Sequence, residues 1–310
     1  MGPRSGGTSR LVIYDFDGRA DTLPVPAARP SSPRFSPNGR SIAYSSPSRN
    51  PNATDIYTYD LITKTNTQIT FDGNNTSPIW SPDGLRIVYA KTDSGPGFGT
   101  RLHIKAADNS GADEVLEGVQ PSATPTAWPR DDLILYTLEP GRIMTVAPRR
   151  DAKPQPYVGS RDQESEAVLT RDGKYATYNS NEGGTFNVWM RDFPNPIGKW
   201  KLSASHGGAP RWSSDGKFLY YVQLSPPSDT LWRVPVDWTP SIVVRAPVVA
   251  AAPLRIGVQQ WDLHPDGKRF ITVNPSIVSA ANGAPRAPVR YVVILNWLTE
   301  VEAALAKANR

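Results

Sequence analysis

The sequence predicts an all-β fold built from six repeats of a four-stranded antiparallel sheet, and two observations support this prediction. A short pattern, in which a hydrophobic residue precedes a turn with an acidic or amide residue, occurs six times at intervals of 41 to 51 residues. The 310 residues also include 31 prolines and 24 glycines, which suits short strands and turns better than long helices. Because a repeat of about 40 to 50 residues is the length of one propeller blade, we expect a six-bladed β-propeller.

The repeated pattern marks the turn between the first and second strands of each blade. Pro presets φ, Asp or Asn accepts a hydrogen bond from its own backbone, and Gly adopts a positive φ. The six copies are PRFSPNG (33–39), PIWSPDG (78–84), TAWPRDD (126–132), AVLTRDG (167–173), PRWSSDG (210–216) and WDLHPDG (261–267). The third copy lacks the usual Pro and Gly, which predicts a distorted turn in blade three.

The hydrophobic residue before each turn is expected to pack between neighbouring blades. Its fixed place in the repeat favours a core role over a ligand-stacking role, even where it is a tryptophan. These residues are Phe35, Trp80, Trp128, Leu169, Trp212 and Leu263.

Blade one shows the strand order most clearly, with strands expected at 33–36, 41–45, 55–61 and 68–71. The alternation in DIYTYDL is typical of a half-buried strand. Second strands of later blades are predicted at 86–90, 133–137, 175–178, 218–222 and 270–273. Third strands are predicted at 102–106, 142–146, 187–191 and 230–234.

The two ends of the chain decide how the ring closes. Segments 11–16 and 22–25 look like third and fourth strands, whereas 261–273 supplies a first and a second strand and 290–295 another. We expect the N-terminal strands to complete the last blade, because closure removes exposed strand edges. A truncated seven-bladed propeller is the alternative. The predicted organisation is a flexible N-terminus (1–10), one propeller domain (11–297) and a short C-terminal helix or tail (298–310).

Composition argues against several classes of function. The net charge is +5, but no run of Lys or Arg exceeds two residues, so we expect no nucleic-acid binding. The sequence has no cysteine, which excludes disulfides, thiolate nucleophiles and Cys-ligated metals. We expect no membrane insertion by this chain, because it has no apolar run of about 18 residues, and the N-terminus lacks the apolar core of a signal peptide.

The SPDG repeats, the RIVY strand at 86–89 and DIYTYDL at 55–61 resemble the TolB-type β-propeller family, from residue 11 to residue 297. WDLHPDGKRFITV (261–273) and YVVILNWLTEVEAAL (291–305) resemble the C-terminal propeller region of bacterial membrane-anchored serine/threonine kinases. The resemblance implies a sensor or protein-interaction module of extracytoplasmic, periplasmic origin.

Motifs of the enzymes that carry related propellers are absent from the sequence. It contains no H-R-D, no D-F-G and no G-x-S-x-G, so phosphoryl transfer and an appended serine hydrolase are not supported. A polysaccharide or uronate lyase is a third hypothesis. Relatives with that chemistry depend on several histidines, and this chain has three in different blade positions.

The residues just before each first strand are expected to rim one mouth of the central channel, where propellers bind ligands. The rim consists of Ser31, Ser32, Thr76, Ser77, Thr124, Glu164, Glu166, Gly207, Gly208, Gln259 and Gln260, with Arg34 and Asp262 further in. Such a polar ring can bind a small molecule, a peptide or a protein. The carboxylates of Glu164, Glu166 and Asp262 are also candidate ligands for a divalent cation such as calcium, which prefers oxygen. A water-filled channel is the structural alternative.

His206 is the histidine best placed for acid–base chemistry, because it lies on the loop that enters blade five. His206 and Glu166 are the candidate catalytic residues, with Ser32 or Ser77 as nucleophile and Asp262 or Glu166 as the partner carboxylate. The leading hypothesis is a monomeric ligand- or protein-binding module without assigned catalysis. The alternative is a metal-assisted hydrolase of esters, lactones or phosphoesters at the channel mouth.

Overall fold

The computed structural model describes residues 9–26, 29–48, 50, 53–93, 99–159, 162–225, 228–254 and 260–275. These residues belong to one compact unit, Met1–Ser276. They form 25 β-strands in six antiparallel sheets and contain no α-helix. Accordingly, this part of the chain has no helix with the length and apolarity needed to cross a membrane. The strand predicted at 290–295, the domain boundary at 297 and the helix at 298–310 lie outside the described residues.

Five blades are built from consecutive strands. Blade one consists of β3 (Ser31–Phe35), β4 (Ser41–Pro47), β5 (Thr54–Asp60) and β6 (Asn66–Gln68). Blade two consists of β7 (Asn75–Trp80), β8 (Arg86–Asp93), β9 (Gly99–Ala106) and β10 (Glu114–Val115). Blade three consists of β11 (Ala123–Arg130), β12 (Leu133–Leu138), β13 (Arg142–Val146) and β14 (Gln155–Val158). Blade four consists of β15 (Glu164–Leu169), β16 (Tyr175–Ser180), β17 (Asn187–Asp192) and β18 (Lys199–Lys201). Blade five consists of β19 (Gly208–Trp212), β20 (Phe218–Gln223), β21 (Asp229–Asp237) and β22 (Val243–Val244), with β23 (Val248–Leu254) also paired to β21.

Blade six combines the two ends of the described chain. It consists of β24 (Trp261–Leu263), β25 (Arg269–Pro275), β1 (Ser9–Asp15) and β2 (Ala20–Thr22), in that order from the channel outward. β1 pairs with the whole of β25, from Ser9 opposite Pro275 to Asp15 opposite Arg269. The first strands contact one another around the ring, and β24 contacts both β19 and β3. The described residues therefore close a ring of six blades, as predicted, and not of seven.

The predictions for two fourth strands were wrong by two residues. β6 and β2 begin before the predicted segments 68–71 and 22–25. Beyond β6 in blade one, the Ile69 amide still donates to the Ile56 carbonyl oxygen, but the Ile56 amide donates to the Thr70 side chain and not to the main chain. Phe71 is exposed. Ile69 and Leu23 are buried just past the strands. Hydrophobicity alone therefore placed these edge strands too late.

The turns after the first strands follow the predicted chemistry. Five turn glycines have φ between 68° and 72°: Gly39, Gly84, Gly173, Gly216 and Gly267. In blade two, the Asp83 carboxylate accepts hydrogen bonds from the Ser81 hydroxyl (2.5 Å) and the Leu85 amide (2.9 Å). Blade three differs, as predicted, because Arg130 pairs with Leu133 after a shift in register and leaves a two-residue turn.

The hydrophobic residues before the turns pack between neighbouring blades, as predicted. Trp80 of blade two is buried against Ala43 and Ile56 of blade one. Trp128 of blade three belongs to a buried cluster with Ile79 of blade two. Each first strand is therefore fixed against the previous blade, and this packing sets the position of its starting residues at the channel.

Candidate functional site

A residue with left-handed backbone conformation interrupts the first strand of four blades near its start. These residues have φ between 50° and 56°: Ser32, Ser77, Glu166 and Ala209. Each lies where the first strand shifts its register against the second, as in a β-bulge. Because such a conformation costs a non-glycine residue about 1–3 kcal/mol, surrounding contacts must hold it in place. Bulges also redirect the neighbouring side chains, here at the mouth of the channel.

Three of these residues are held by hydrogen bonds from their amides to a side chain of the preceding blade. The bonds join Ser32 to Gln260 Oε1 (3.1 Å), Ser77 to Ser45 Oγ (3.1 Å) and Glu166 to Thr137 Oγ1 (3.2 Å). The Gln260 side chain, predicted as a ligand-binding group, thus makes a bond between blades. Gln259 lies outside the described residues.

Arg34 and Asp262, both predicted as ligand-binding residues, lie deeper in the channel and join blades. Asp262 Oδ1 accepts a hydrogen bond from Arg211 Nε at 3.0 Å, and Asp262 Oδ2 accepts one from the Phe35 amide at 2.8 Å. Arg34 Nη1 donates to the Trp261 carbonyl oxygen at 3.1 Å. Burial and then the charge of Arg211 lower the pKa of Arg34 to about 9, so Arg34 stays cationic at neutral pH. Both predicted residues therefore have structural contacts.

The three carboxylates predicted as metal ligands do not converge. Asp262 is bonded as described, and Glu166 Oε2 accepts a hydrogen bond from Asn179 Nδ2 at 2.8 Å. Glu164 lies near Tyr178, whose pKa burial raises to about 12 with a smaller contribution from the Glu164 charge. Among the described residues, no group of three His, Asp or Glu side chains is arranged to hold a metal ion. A calcium site at these carboxylates therefore stays a prediction.

A cavity of about 480 Å³ opens at the channel mouth, and we call it the mouth cavity. Blades two to five line it with Ser77, Thr124, Thr137, Glu139, Ser165, Glu166, Asn179, Phe186, His206, Gly207, Gly208, Val222 and Leu224. Its volume lies within the range of about 300–1,000 Å³ that is usual for small-molecule sites. It brings His206 together with five predicted rim residues: Ser77, Thr124, Glu166, Gly207 and Gly208. The predicted rim residues Ser31, Ser32, Thr76, Glu164 and Gln260 do not line it.

The sequence interpretation missed the lining residues that come from the ends of second strands. Thr137 lies opposite Thr124 in the ladder, and Asn179 lies opposite Ser165. Because paired strands run antiparallel, the end of each second strand reaches the same mouth as the start of the first strand. Antiparallel pairing of the predicted strands was therefore the signal for this second group of residues.

Two buried acceptor atoms of the mouth cavity have no hydrogen-bond partner, and we call Glu166 and Asn179 the acceptor pair. Glu166 is 5% exposed and Asn179 is 4% exposed. Glu166 Oε1 and Asn179 Oδ1 are both unpartnered, although the other polar atoms of the two side chains bond to each other. Gly208 packs against the pair, since a Cβ atom there would lie 3.1 Å from Asn179 Nδ2. A buried acceptor without a donor costs about 1–3 kcal/mol, so the pair is suited to a ligand that donates hydrogen bonds.

His206 lies at the edge of the mouth cavity and is exposed. Its Nε2 lies 3.0 Å from the Leu224 carbonyl oxygen, so this ring nitrogen donates to the main chain. Ser77 and Glu166 share the cavity with His206. The observed hydrogen bond of His206, however, goes neither to a serine hydroxyl nor to a carboxylate. The predicted catalytic residues thus meet in one cavity without forming a hydrogen-bonded triad among the described residues.

Comparison with known proteins places this architecture in a family. Three similar solved structures are a protein assigned as TolB from Agrobacterium tumefaciens, one assigned as a 6-phosphogluconolactonase from Bacteroides uniformis, and an oligogalacturonate lyase in complex with manganese. The first has 13% sequence identity and a TM-score of 0.67, and the match covers 87% of this chain and 99% of that one. The second has 16% identity and a TM-score of 0.57, covering 84% and 88%. The third has 12% identity and a TM-score of 0.56, covering 86% and 82%.

At these identities the structural similarity shows the fold alone. The family model of the TolB beta propeller domain matches residues 3–240, which is more than half of the sequence. The chain therefore belongs to the TolB beta propeller domain family.

Proposed function

We propose that this protein is a binding module whose ligand site is the mouth cavity, and that the ligand is a small molecule or a short segment of a peptide or protein. The observation that supports this most directly is the acceptor pair, Glu166 and Asn179, whose buried oxygen atoms lack donors beside an open cavity. Buried polar groups are normally bonded, and exceptions in a cavity point to a ligand or to ordered water.

The scaffold around the cavity supports the same proposal. The strained residues Ser77 and Glu166 each donate a hydrogen bond from the main-chain amide to a side chain of the preceding blade. Strain of this kind persists where the surroundings fix it, and it is common at binding sites. A cavity built on closed strands also needs little ordering when a ligand binds, which favours affinity.

The alternative proposal is a hydrolase of esters, lactones or phosphoesters at the same place. The presence of His206 and Glu166 in one cavity favours it, because the two side chains can act as acid and base on a bound substrate. The enzymes among the similar structures share the fold and lend no further support, since one fold hosts many activities.

A fragment screen by ligand-observed NMR tests the binding proposal with two matched variants. Thr124→Trp fills the mouth cavity from a half-buried position. Leu85→Trp adds the same ring at a site that is 69% exposed and does not line the cavity. We expect fragments that bind the wild type and Leu85→Trp but not Thr124→Trp. Hits that all survive in Thr124→Trp, or the absence of any hit, would contradict the proposal.

The same samples, together with the variant His206→Ala, decide between binding and hydrolysis. They are assayed against activated esters, lactones and phosphate esters, with and without a chelator. Turnover by the wild type that disappears in His206→Ala and in Thr124→Trp would replace the binding proposal with the hydrolase. Size-exclusion chromatography tests the expected monomer. The extracytoplasmic location that the resemblance implies is part of the same proposal, and fractionation of the native host tests it.

A further inference from the structure

The acceptor pair belongs to the lining of the mouth cavity and has two buried oxygen atoms without a hydrogen-bond partner. Asn179 Nδ2 donates to Glu166 Oε2, which leaves Glu166 Oε1 and Asn179 Oδ1 without partners. A carboxylate accepts hydrogen bonds only, and an amide oxygen accepts up to two. A ligand group that satisfies both atoms must therefore carry several N–H or O–H donors. A cationic donor makes the stronger bond to the carboxylate.

The charge of the cavity lining favours a cation as well. Two carboxylates, Glu139 and Glu166, line the cavity, whereas its lining residues include no Lys or Arg. The lining residues of the mouth cavity therefore include two carboxylates and no Lys or Arg on a chain whose net charge is +5. Complementary charge of this kind attracts ligands of the opposite sign and rejects those of the same sign.

Two arginines lie deeper in the channel, where they share a narrow space with Glu166. Arg211 donates to Asp262, and Arg34 donates to the Trp261 carbonyl. Neither supplies a hydrogen bond to Glu166 Oε1, since that atom has no partner. Glu166 Oε1 thus keeps an unused acceptor although two arginines lie nearby.

Part of the cavity wall is apolar. Phe186 and Leu224 are 42% and 38% exposed, and Val222 lies buried between blades five and six. Exposed apolar side chains beside a polar group bind the hydrocarbon part of a ligand, because covering them removes apolar surface from water. The lining thus provides an anionic acceptor pair and an adjacent apolar wall.

We infer that the mouth cavity binds a primary ammonium group on an aryl or alkyl chain, with the ammonium on the acceptor pair and the chain against Phe186 and Leu224. This inference rests on the proposed binding function and names its ligand class. A free amine and a lysine side chain of a peptide share this chemistry. The mouth cavity of about 480 Å³ has room for either.

The first test uses three probes of the same shape: 3-phenylpropylamine, 3-phenylpropan-1-ol and 3-phenylpropanoate. Isothermal titration at neutral pH and low salt compares their affinities for the wild-type protein. We expect the amine to bind about tenfold more tightly than the alcohol, and the carboxylate to bind most weakly. An alcohol or a carboxylate that binds as tightly as the amine overturns the inference. Nα-acetyl-lysine amide, titrated in parallel, shows whether the preferred source of the ammonium is a free amine or a peptide.

Two variants locate the preference within the cavity. Glu166→Gln keeps the shape and removes the charge, so we expect the amine to lose about tenfold in affinity while the alcohol is unchanged. Phe186→Ala should weaken the amine and the alcohol by the same factor. A preference for the amine that survives in Glu166→Gln contradicts the assignment of the acceptor pair. The comparison of the probes on the wild type decides the ligand class even if Glu166→Gln does not fold.

Failure of this inference and failure of the proposed function give different results. If the cavity binds ligands of another class, the fragment hits still disappear in Thr124→Trp while the amine shows no advantage. If the cavity is not a binding site, neither the probes nor the fragments distinguish Thr124→Trp from Leu85→Trp.

Discussion

The contact between Asp262 and Arg211 joins three blades at the place where the ring closes. Asp262 belongs to blade six, Arg211 to blade five, and Phe35, whose amide also donates to Asp262, to blade one. The side chains of Arg211 and Asp262 are only 12% and 11% exposed, respectively. Loss of the carboxylate would leave the buried Arg211 cation unpaired near Arg34, whose pKa already responds to the charge of Arg211. We therefore expect Asp262→Asn to destabilise the closed ring.

The magnitude follows from the chemistry of this contact. Removal of one partner of a buried ion pair costs about 3–5 kcal/mol. Asparagine retains one oxygen acceptor that can keep the bond from the Phe35 amide, so we expect a loss of about 3 kcal/mol in the free energy of unfolding. Urea unfolding at neutral pH measures this loss.

A double-mutant cycle with Arg211→Met isolates the interaction between the two charges. We expect a coupling energy of at least about 1 kcal/mol between Asp262→Asn and Arg211→Met. Arg40→Met removes an exposed pair with Asp60 of similar length (2.8 Å) and should cost much less, because water screens this pair. Additive single effects, or a cost of Asp262→Asn no larger than that of Arg40→Met, would refute the reasoning.

Two further predictions concern the turns. Gly39 has a φ of +70°, and a Cβ atom there would lie 2.5 Å from His264 Nε2, whereas Gly18 (φ +91°) has no atom within 4 Å of that position. Gly39→Ala should therefore reduce the free energy of unfolding by at least about 1 kcal/mol more than Gly18→Ala, and equal effects in urea unfolding would argue against a steric cause. Hydrogen bonds from the serine two residues earlier lower the pKa of Asp83 and Asp215 below the usual 3.8. The ionised carboxylates of Asp83 and Asp215 therefore stabilise the folded state above about pH 4, and this stabilisation is lost as the pH falls through their folded-state pKa. The urea midpoint should fall on acidification, and it should fall less in the double variant Asp83→Asn/Asp215→Asn.

Local rules were sufficient to predict the blades. The turn at Gly39 requires a positive φ, and Trp80 requires a neighbouring blade to pack against. Both requirements can be recognised from a few adjacent residues of the sequence. Closure by β1 was predictable because an unpaired third strand at one end matched an incomplete blade at the other. The bounds of the fourth strands were not predictable, because edge strands are short and a side chain such as Thr70 can accept a hydrogen bond from a main-chain amide.

The site was predictable only in outline. The starts of the first strands led to Ser77, Thr124 and Glu166, which do line the mouth cavity. Sequence reasoning could not tell that Asp262 would bond to Arg211, 51 residues away, and to Phe35, 227 residues away. Whether a polar side chain is satisfied depends on the neighbouring blade, which local sequence does not specify.

We expect Asp262, whose oxygen atoms are both bonded, to support the fold, and Glu166, which has an unbonded oxygen atom, to serve binding. Stability measurements can detect this difference. Both oxygen atoms of Asp262 accept hydrogen bonds, whereas Glu166 Oε1 has no partner. Glu166→Gln removes a buried charge whose side chain makes one side-chain hydrogen bond, to Asn179. We therefore expect Glu166→Gln to change the free energy of unfolding by less than about 1 kcal/mol, compared with about 3 kcal/mol for Asp262→Asn. Urea unfolding of the two variants side by side makes the comparison. Equal losses would mean that Glu166 supports the fold as Asp262 does, and the acceptor pair would lose its standing as a ligand site.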